Sequence, residues 1–304
     1  MKVNSQLIMP RRLNQKMQKA ASHPTNCSAA LCVSEWLLHA ENKLATAKIP
    51  SPKLDAEIIL SRAINRPRTV LHAFPNKRLS KQQLFHANNW LNKRSKRIPI
   101  AYILGEKEFY GRSFRVTKDV LIPRPESENL IELYKKFIHD NDILLDIGTG
   151  SGTLAITAFL EFKDAQIKAY ASDISTRALE VAHTNADTLK ANVKFIQSDL
   201  LIDIPENIKQ KTTVIIANLP YVNVDWVDQN IANELHYEPR NALYTNDKGL
   251  GLIKKLVQQS SELSKLRLLF IEADPEQHKE IIDFANNLNL KLKDQADYCL
   301  VFSR

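Results

Sequence analysis

Three of the chain's seven glycines fall within five residues, in Asp146-Ile147-Gly148-Thr149-Gly150-Ser151-Gly152. An apolar run precedes them, and Leu154, Ala155, Ala158 and Phe159 follow at helical spacing. Glycines at a strand-to-helix turn permit a tight reversal and let a ligand reach the backbone with no Cβ in the way. No Lys-Ser or Lys-Thr follows, so the loop is not a P-loop. Asp146 would repel a pyrophosphate but suits a cationic or hydroxyl-bearing ligand. Asp173 closes the next apolar run, 27 residues on, where a carboxylate can accept two ribose hydroxyls. Asp199, followed by Leu200, closes the third and could accept an adenine amine. Three strand-end carboxylates beside a glycine loop fit an adenosine that carries a sulfonium rather than a phosphate. S-adenosyl-L-methionine is the cofactor expected, beside Asp146, Gly148, Gly150, Gly152, Asp173 and Asp199. No metal site is expected.

A second constellation, Asn218-Leu219-Pro220-Tyr221, ends the fourth apolar run and falls in the ligand crevice of an open α/β sheet. An amide or aromatic amine is a poor nucleophile because its lone pair is delocalised. The Asn218 side-chain oxygen and the Leu219 carbonyl could hold its two N–H groups and aim the lone pair at a donor methyl. Tyr221 could stack on the planar group. Such catalysis works by positioning and desolvation.

These residues need a sheet, and the sequence has the rhythm of one. Short apolar strands are expected at 143–147, 167–172, 193–197, 214–217 and 268–271, with helical stretches between them. The reading is an α/β fold, a mostly parallel Rossmann-like sheet covered on both faces, closed by an antiparallel hairpin at 288–292 and 298–303. Before it, residues 33–97 read as a small helical bundle. Ser34 is expected to cap its first helix, Ser51-Pro52 starts the second, and Ser80 starts another that ends in the basic run 93–97. Residues 98–122 read as a hairpin linker with a turn at Thr117-Lys118-Asp119, residues 123–304 as the catalytic domain, and residues 1–32 as a loose basic tail.

The 304 residues are 44% hydrophobic and 25% charged, close to globular averages. Residues 1–97 hold 18 Lys and Arg against 4 Asp and Glu, a net charge of +14, while the remainder is −6. The basic part is expected to dock an acidic face of a partner. Three cysteines make no disulfide framework, and no apolar run is long enough to span a membrane. A cytoplasmic monomer is expected.

The chain resembles the S-adenosylmethionine-dependent N5-glutamine methyltransferases of peptide chain release factors. The resemblance rests on Ser51-Pro52-Lys53-Leu54-Asp55-Ala56-Glu57, Pro99-Ile100-Ala101-Tyr102-Ile103-Leu104-Gly105-Glu106, Glu108-Phe109-Tyr110-Gly111, Leu121-Ile122-Pro123-Arg124-Pro125-Glu126-Ser127-Glu128, the glycine loop, and Tyr237-Glu238-Pro239-Arg240-Asn241-Ala242-Leu243. It runs from about Val33 to the C-terminus. It implies that Gly148, Thr149, Gly150, Ser151 and Gly152, with Asp173 and Asp199-Leu200, hold the cofactor, with Asn218 beside it. Asn218 and the following carbonyl would bind the glutamine amide of a Gly-Gly-Gln loop, with Pro220 in the same segment and Tyr221 beside it. Arg124 and Glu126 would buttress the pocket, and Phe109 would form part of its wall. The chain departs from the family's usual Asn-Pro-Pro-Tyr in having Leu219, and residues 293–298 lack a glycine often found there. Asn-Leu-Pro-Tyr also occurs in ribosomal RNA adenine dimethyltransferases, and a basic segment would suit RNA. Those enzymes resemble a catalytic domain placed first and lack the 123–128 segment. An RNA adenine N6-methyltransferase, a ribosomal protein glutamine methyltransferase and a non-catalytic cofactor-binding protein are the alternatives.

Overall fold

The computed structural model describes residues 31–223 and 234–304; the basic tail expected at the N-terminus lies outside the described residues up to residue 30. Helix α1 (Val33–Thr46) buries Val33, Trp36, Ala40 and Leu44 along one stripe, the spacing that marks it as a helix. Its cap is Cys32, not Ser34. The Cys32 N–H donates to Glu35 Oε2 at 2.8 Å, so an acid three residues on outweighs the better capping side chain. Leu31 and Cys32, expected as tail, pair with the bundle: the Leu79 N–H donates to the Leu31 carbonyl, and Cys32 bridges Arg78.

Helix α2 (Pro52–Ile64) begins with its proline, which has no N–H to leave unsatisfied. It is followed by α3 (Arg68–Ala73), a short helix not expected from the sequence, and α4 (Lys81–Arg94). Ser80 and Gln83 cap α4 reciprocally. The basic run at its end is not a uniformly solvated face. Arg94 is buried, donates to Asp55 Oδ2 at 2.6 Å and lies 2.8 Å from Glu234, tying α2 to the segment that begins at residue 234.

A short helix, α5 (Ile100–Leu104), leads into strands β1 (Glu106–Phe109) and β2 (Arg112–Arg115). Thr117-Lys118-Asp119 is a turn as expected, closed by the Val120 N–H on the Thr117 carbonyl, but the hairpin reverses earlier, at Tyr110-Gly111, with φ of +49° and +71°. Two successive positive φ values make the tight hairpin turn whose twist matches that of the strands.

The rest alternates: α6 (Glu128–Phe137), β3 (Ile143–Ile147), α7 (Thr153–Glu161), β4 (Lys168–Asp173), α8 (Thr176–Leu189), β5 (Val193–Gln197), α9 (Glu206–Lys209), β6 (Val214–Ala217), β7 (Val222–Asn223), α10 (Arg240–Leu243), β8 (Tyr244–Thr245), α11 (Gly251–Ser261), β9 (Leu268–Glu272), α12 (Pro275–Asn287), β10 (Lys291–Ala296) and β11 (Cys299–Ser303). Seven strands form one sheet in the order β10-β11-β9-β6-β3-β4-β5. The five from β9 to β5 are parallel, and β10 and β11 are antiparallel additions at one edge. The terminal hairpin starts at Lys291 rather than 288, because α12 runs to Asn287 and Asn289 turns the chain at φ +61°.

Successive residues of β3 feed opposite cores: Leu144 packs with Ile216 and Phe270 on one face, Leu145 and Ile147 with Ile215 and Leu269 on the other. Strand order reverses at β3, which lies between β4 and β6. Connections there leave in opposite directions and open a crevice at the strands' C-terminal ends.

Candidate active site

The loops leaving β3, β4, β5 and β6 enclose that crevice, a cavity of about 360 Å3. Its lining includes Gly148, Thr149, Gly150 and Ser151, then Asp173, Asp199 and Leu200, then Asn218, Leu219 and Pro220, with Phe109 and Arg124 from the linker and junction. Segments far apart in sequence therefore meet in one place. Asp146, Gly152, Glu126 and Tyr221 do not line it.

Asp146 lies beneath the glycine loop, fully buried. Its Oδ2 accepts the Thr149 hydroxyl at 2.6 Å and the Ala155 N–H at 3.1 Å, while Oδ1 is buried with no partner. Burial pushes its carboxyl up to about 7, against the hydrogen bonds from Thr149 and Ala155. Asp146 thus shapes the loop from inside. Gly152 caps α7 and packs on Ala182 of α8, so it too supports the crevice from behind. Gly148, at φ +73°, is in contact with the second constellation: a Cβ there would stand 2.8 Å from Leu219 Cδ2.

Asp173 holds the other side of the loop, accepting the Gly150 N–H and the Ser175 N–H at 2.9 Å each. Burial raises its carboxyl above the usual range, against those bonds. Each oxygen keeps a second lone pair for a ligand hydroxyl. Asp199 lies two residues beyond β5 and is paired with Lys255 of α11 at 2.8 Å. Leu200 turns the chain at φ +52°.

At the end of β6, Asn218 Nδ2 donates to Ser127 Oγ at 2.9 Å. Tyr221 turns away from the crevice. Its hydroxyl donates to Glu272 Oε1 at 3.2 Å, and burial beside that carboxylate drives its phenol above the usual range. The stacking role expected for Tyr221 is not what this geometry provides. Its carbonyl accepts from Gln277 Nε2 at 2.8 Å, and a Cβ on Gly249, at φ +86°, would stand 2.0 Å from that same oxygen. Arg124 pairs with the buried Glu238 at 2.7 Å, and Glu238 also accepts the Ile122 N–H at 3.0 Å. Glu126, expected as a partner in buttressing, is exposed. Phe109 is buried and meets Phe114 edge-on at 6.2 Å.

Sequence reasoning misses Glu272, Gln277 and Gly249. One signal points to the first: Glu272 ends its strand, just as Asp173 ends β4. For the other two the contacts are tertiary, and nothing local announces them.

Two family models match the chain: the PrmC N-terminal domain over residues 35–105 and the methyltransferase small domain over residues 127–267. A release factor glutamine methyltransferase of Koribacter versatilis is 37% identical over 219 residues, covering 71% of this chain and 76% of the relative. The chain belongs to the release factor glutamine methyltransferase family. A second member, from Buchnera aphidicola subsp. Schizaphis graminum, is 33% identical over 260 residues, 84% of this chain and 91% of that one. The hMettl16 catalytic domain, solved in complex with MAT2A 3'UTR hairpin 6, superposes with a TM-score of 0.50 at 17% identity, covering 71% of this chain and 82% of that one. That likeness is one of fold.

As a member of this family the protein is an S-adenosyl-L-methionine-dependent methyltransferase. The crevice fits the cofactor's chemistry. It offers carboxylates and backbone groups but no lysine or arginine in the glycine loop, a donor set for a sulfonium and hydroxyls rather than a phosphate. Gly150 faces open space, since a Cβ there would meet nothing within 4 Å.

Proposed function

We propose that the protein transfers a methyl group from S-adenosyl-L-methionine to the side-chain amide nitrogen of the glutamine in a Gly-Gly-Gln segment of a peptide chain release factor. The observation that carries this reading is Asn218-Leu219 lining the same crevice as the glycine loop, with Leu219 packed on Gly148. Family membership supplies the substrate class.

The cofactor supplies an electrophilic methyl on a sulfonium. The backbone of Gly148 to Ser151 and the carboxylate of Asp173 would hold it, with Asp199 and Leu200 on the adenine side. Asn218 Oδ1 and the Leu219 carbonyl accept the two N–H groups of the glutamine amide and turn its lone pair toward the methyl. Phe109 and Leu219 exclude water from the reacting groups, which strengthens those bonds. Arg124, fixed by Glu238, stands at the wall. Transfer would break the methyl's bond to sulfur as the amide nitrogen bonds to it, releasing the thioether and, from one of the two held N–H groups, a proton to solvent; the work is orientation, so no residue needs to ionise the amide beforehand.

The excess of cations in the N-terminal part supports docking to an acidic face of the substrate. The reading also places the protein in the cytoplasm as a monomer. No helix among the described residues is long and apolar enough to cross a membrane.

The test is to incubate the protein with labelled methyl donor and, separately, a release factor, ribosomal protein and ribosomal RNA. Label is expected on the release factor glutamine; label on RNA alone overturns the reading.

A further inference from the structure

Asparagine is a poor helix former, and an amide taken out of water costs free energy unless its polar atoms find partners. Asn185 lies within α8 all the same and is only 2% exposed. Three hydrogen bonds account for its whole amide. Oδ1 accepts the Arg115 N–H at 2.7 Å, while Nδ2 donates to the Arg115 carbonyl at 3.0 Å and to the Ser151 carbonyl at 2.8 Å. The amide can lie only this way round. Reversed, it would set its NH2 against an N–H and its oxygen against two carbonyls.

Arg115 ends β2, opposite Glu106 of β1. The N–H and carbonyl of one strand residue face the same side, so Asn185 stands on the outer edge of β2 in place of a neighbouring strand. Ser151 belongs to the glycine loop and lines the crevice. The helix can come this close because Gly152 has no Cβ, which would stand 3.2 Å from the Ala182 Cβ, one turn before Asn185. One buried side chain therefore bonds two parts of the crevice wall that are far apart in sequence. The hairpin brings Phe109 to the lining, and the chain leaving β2 adds Asp119, Val120, Leu121 and Pro123.

We infer that Asn185 is a positioning residue that locks the hairpin linker to the glycine loop, so that the substrate wall and the cofactor loop are held in one register. What the hairpin side does rests on the function proposed above; the lock itself can be read without substrate. Helix α8 also packs on the linker through Ala178 and Val181, in an apolar cluster with Val116, Val120 and Ile122. Apolar packing is non-directional. It presses helix and linker together without setting where the hairpin stands against the loop. Three bonds of fixed donor and acceptor character do set it.

The test compares wild type with Asn185→Leu, Asn185→Ala and Val181→Ala. Leucine keeps a branched side chain of similar size and removes all three bonds, and alanine removes the bonds and the volume. Val181→Ala loosens the apolar packing alone and shows what a merely structural loss does. The readouts are the S-adenosyl-L-methionine Kd by calorimetry, backbone amide hydrogen exchange of residues 106–115 and 148–152 with and without that cofactor, Tm, and kcat and KM on a release factor. In wild type the cofactor is expected to slow exchange in both segments. In both Asn185 variants it is expected to slow exchange in the loop alone, with Kd raised about fivefold or more. Their kcat at saturating cofactor is expected to stay lowered about tenfold, with KM changed less. Val181→Ala is expected to lower Tm and to leave Kd and kcat within about twofold of wild type.

Three results overturn the inference: wild-type protection confined to the loop, an Asn185→Leu protein whose hairpin is still protected or whose kcat returns at saturation, or a Val181→Ala protein that matches it in Kd and kcat. Should Asn185→Leu fail to fold, Asn185→Ala decides on the same readouts. A wild type that methylates no release factor, with hairpin protection lost in the Asn185 variants, overturns the proposed function and leaves the lock standing.

Discussion

Two buried carboxylates stand at the C-terminal ends of strands of the same sheet, and they serve their loops differently. Asp146, near the end of β3, accepts a backbone N–H and the hydroxyl of a residue three positions on, so it sets the course of the main chain in the glycine loop. Glu272, at the end of β9, accepts the hydroxyl of Tyr221, a side chain from a distant segment. Each leaves one oxygen buried without a geometric partner, and burial raises both carboxyls. The cofactor half of the crevice is thus organised through the backbone, and the amide half through side chains. A backbone cradle tolerates many cofactor contacts of modest strength, whereas an amide must be aimed, and aiming needs atoms of fixed donor or acceptor character.

Substitutions in the two halves should separate accordingly. Asn218→Ala is expected to lower kcat by about 100- to 1,000-fold, the scale of losing one preorganised hydrogen-bonding group, with cofactor Kd by calorimetry nearly unchanged. A variant with near-full turnover would end the division of labour. Asp173→Ala should do the reverse. Loss of its charge-assisted bonds weakens cofactor binding by about 1.5–3 kcal/mol, or tenfold and more in Kd, while kcat at saturating cofactor changes far less.

Gly148→Ala probes the seam between the halves. The residue sits at φ +73° with Leu219 Cδ2 in the way of a Cβ. A cost of about 1–3 kcal/mol is expected, read as a fall in Tm of roughly 2–10 °C. An unchanged Tm would show that the loop relaxes without strain.

A pH dependence is expected of Asp146→Asn. The folded-state pKa of about 7 lies above the ordinary 3.8, so the native protein binds the proton more tightly than the unfolded chain. That contribution to stability is full below about pH 4 and is lost as pH rises to 7. The difference in Tm, variant minus wild type, should rise between about pH 4 and 7 and then level off. A flat difference across that window would mean that Asp146 is not held partly protonated.

Much of the fold is legible in the sequence. The helix stripe Trp36, Ala40, Leu44 and the strand run 143–147 are local patterns of apolar spacing, and both appear as expected. The hairpin's reversal is not: Thr117-Lys118-Asp119 is a turn, as its composition says, but Tyr110-Gly111 has the backbone geometry the strands require. By sequence Arg94 is one residue of a basic run at a helix end, but a buried ion pair with Asp55 draws it inward.

In the crevice the same line divides what is local from what is not. The glycine spacing, the strand-end acids and Asn218-Leu219-Pro220-Tyr221 are local in sequence, so type and order alone point to a methyl donor and an amide or aromatic amine. Which of those residues face the ligand is a matter of tertiary structure. Asp146 and Tyr221 carry the right groups but point inward, Asp146 under its loop and Tyr221 onto Glu272. Ser127 meets Asn218, and Glu272 meets Tyr221, only when β6, β9 and the start of α6 come together. A sequence specifies which hydrogen-bonding groups exist; folding specifies which of them are spent on one another and which remain for the substrate.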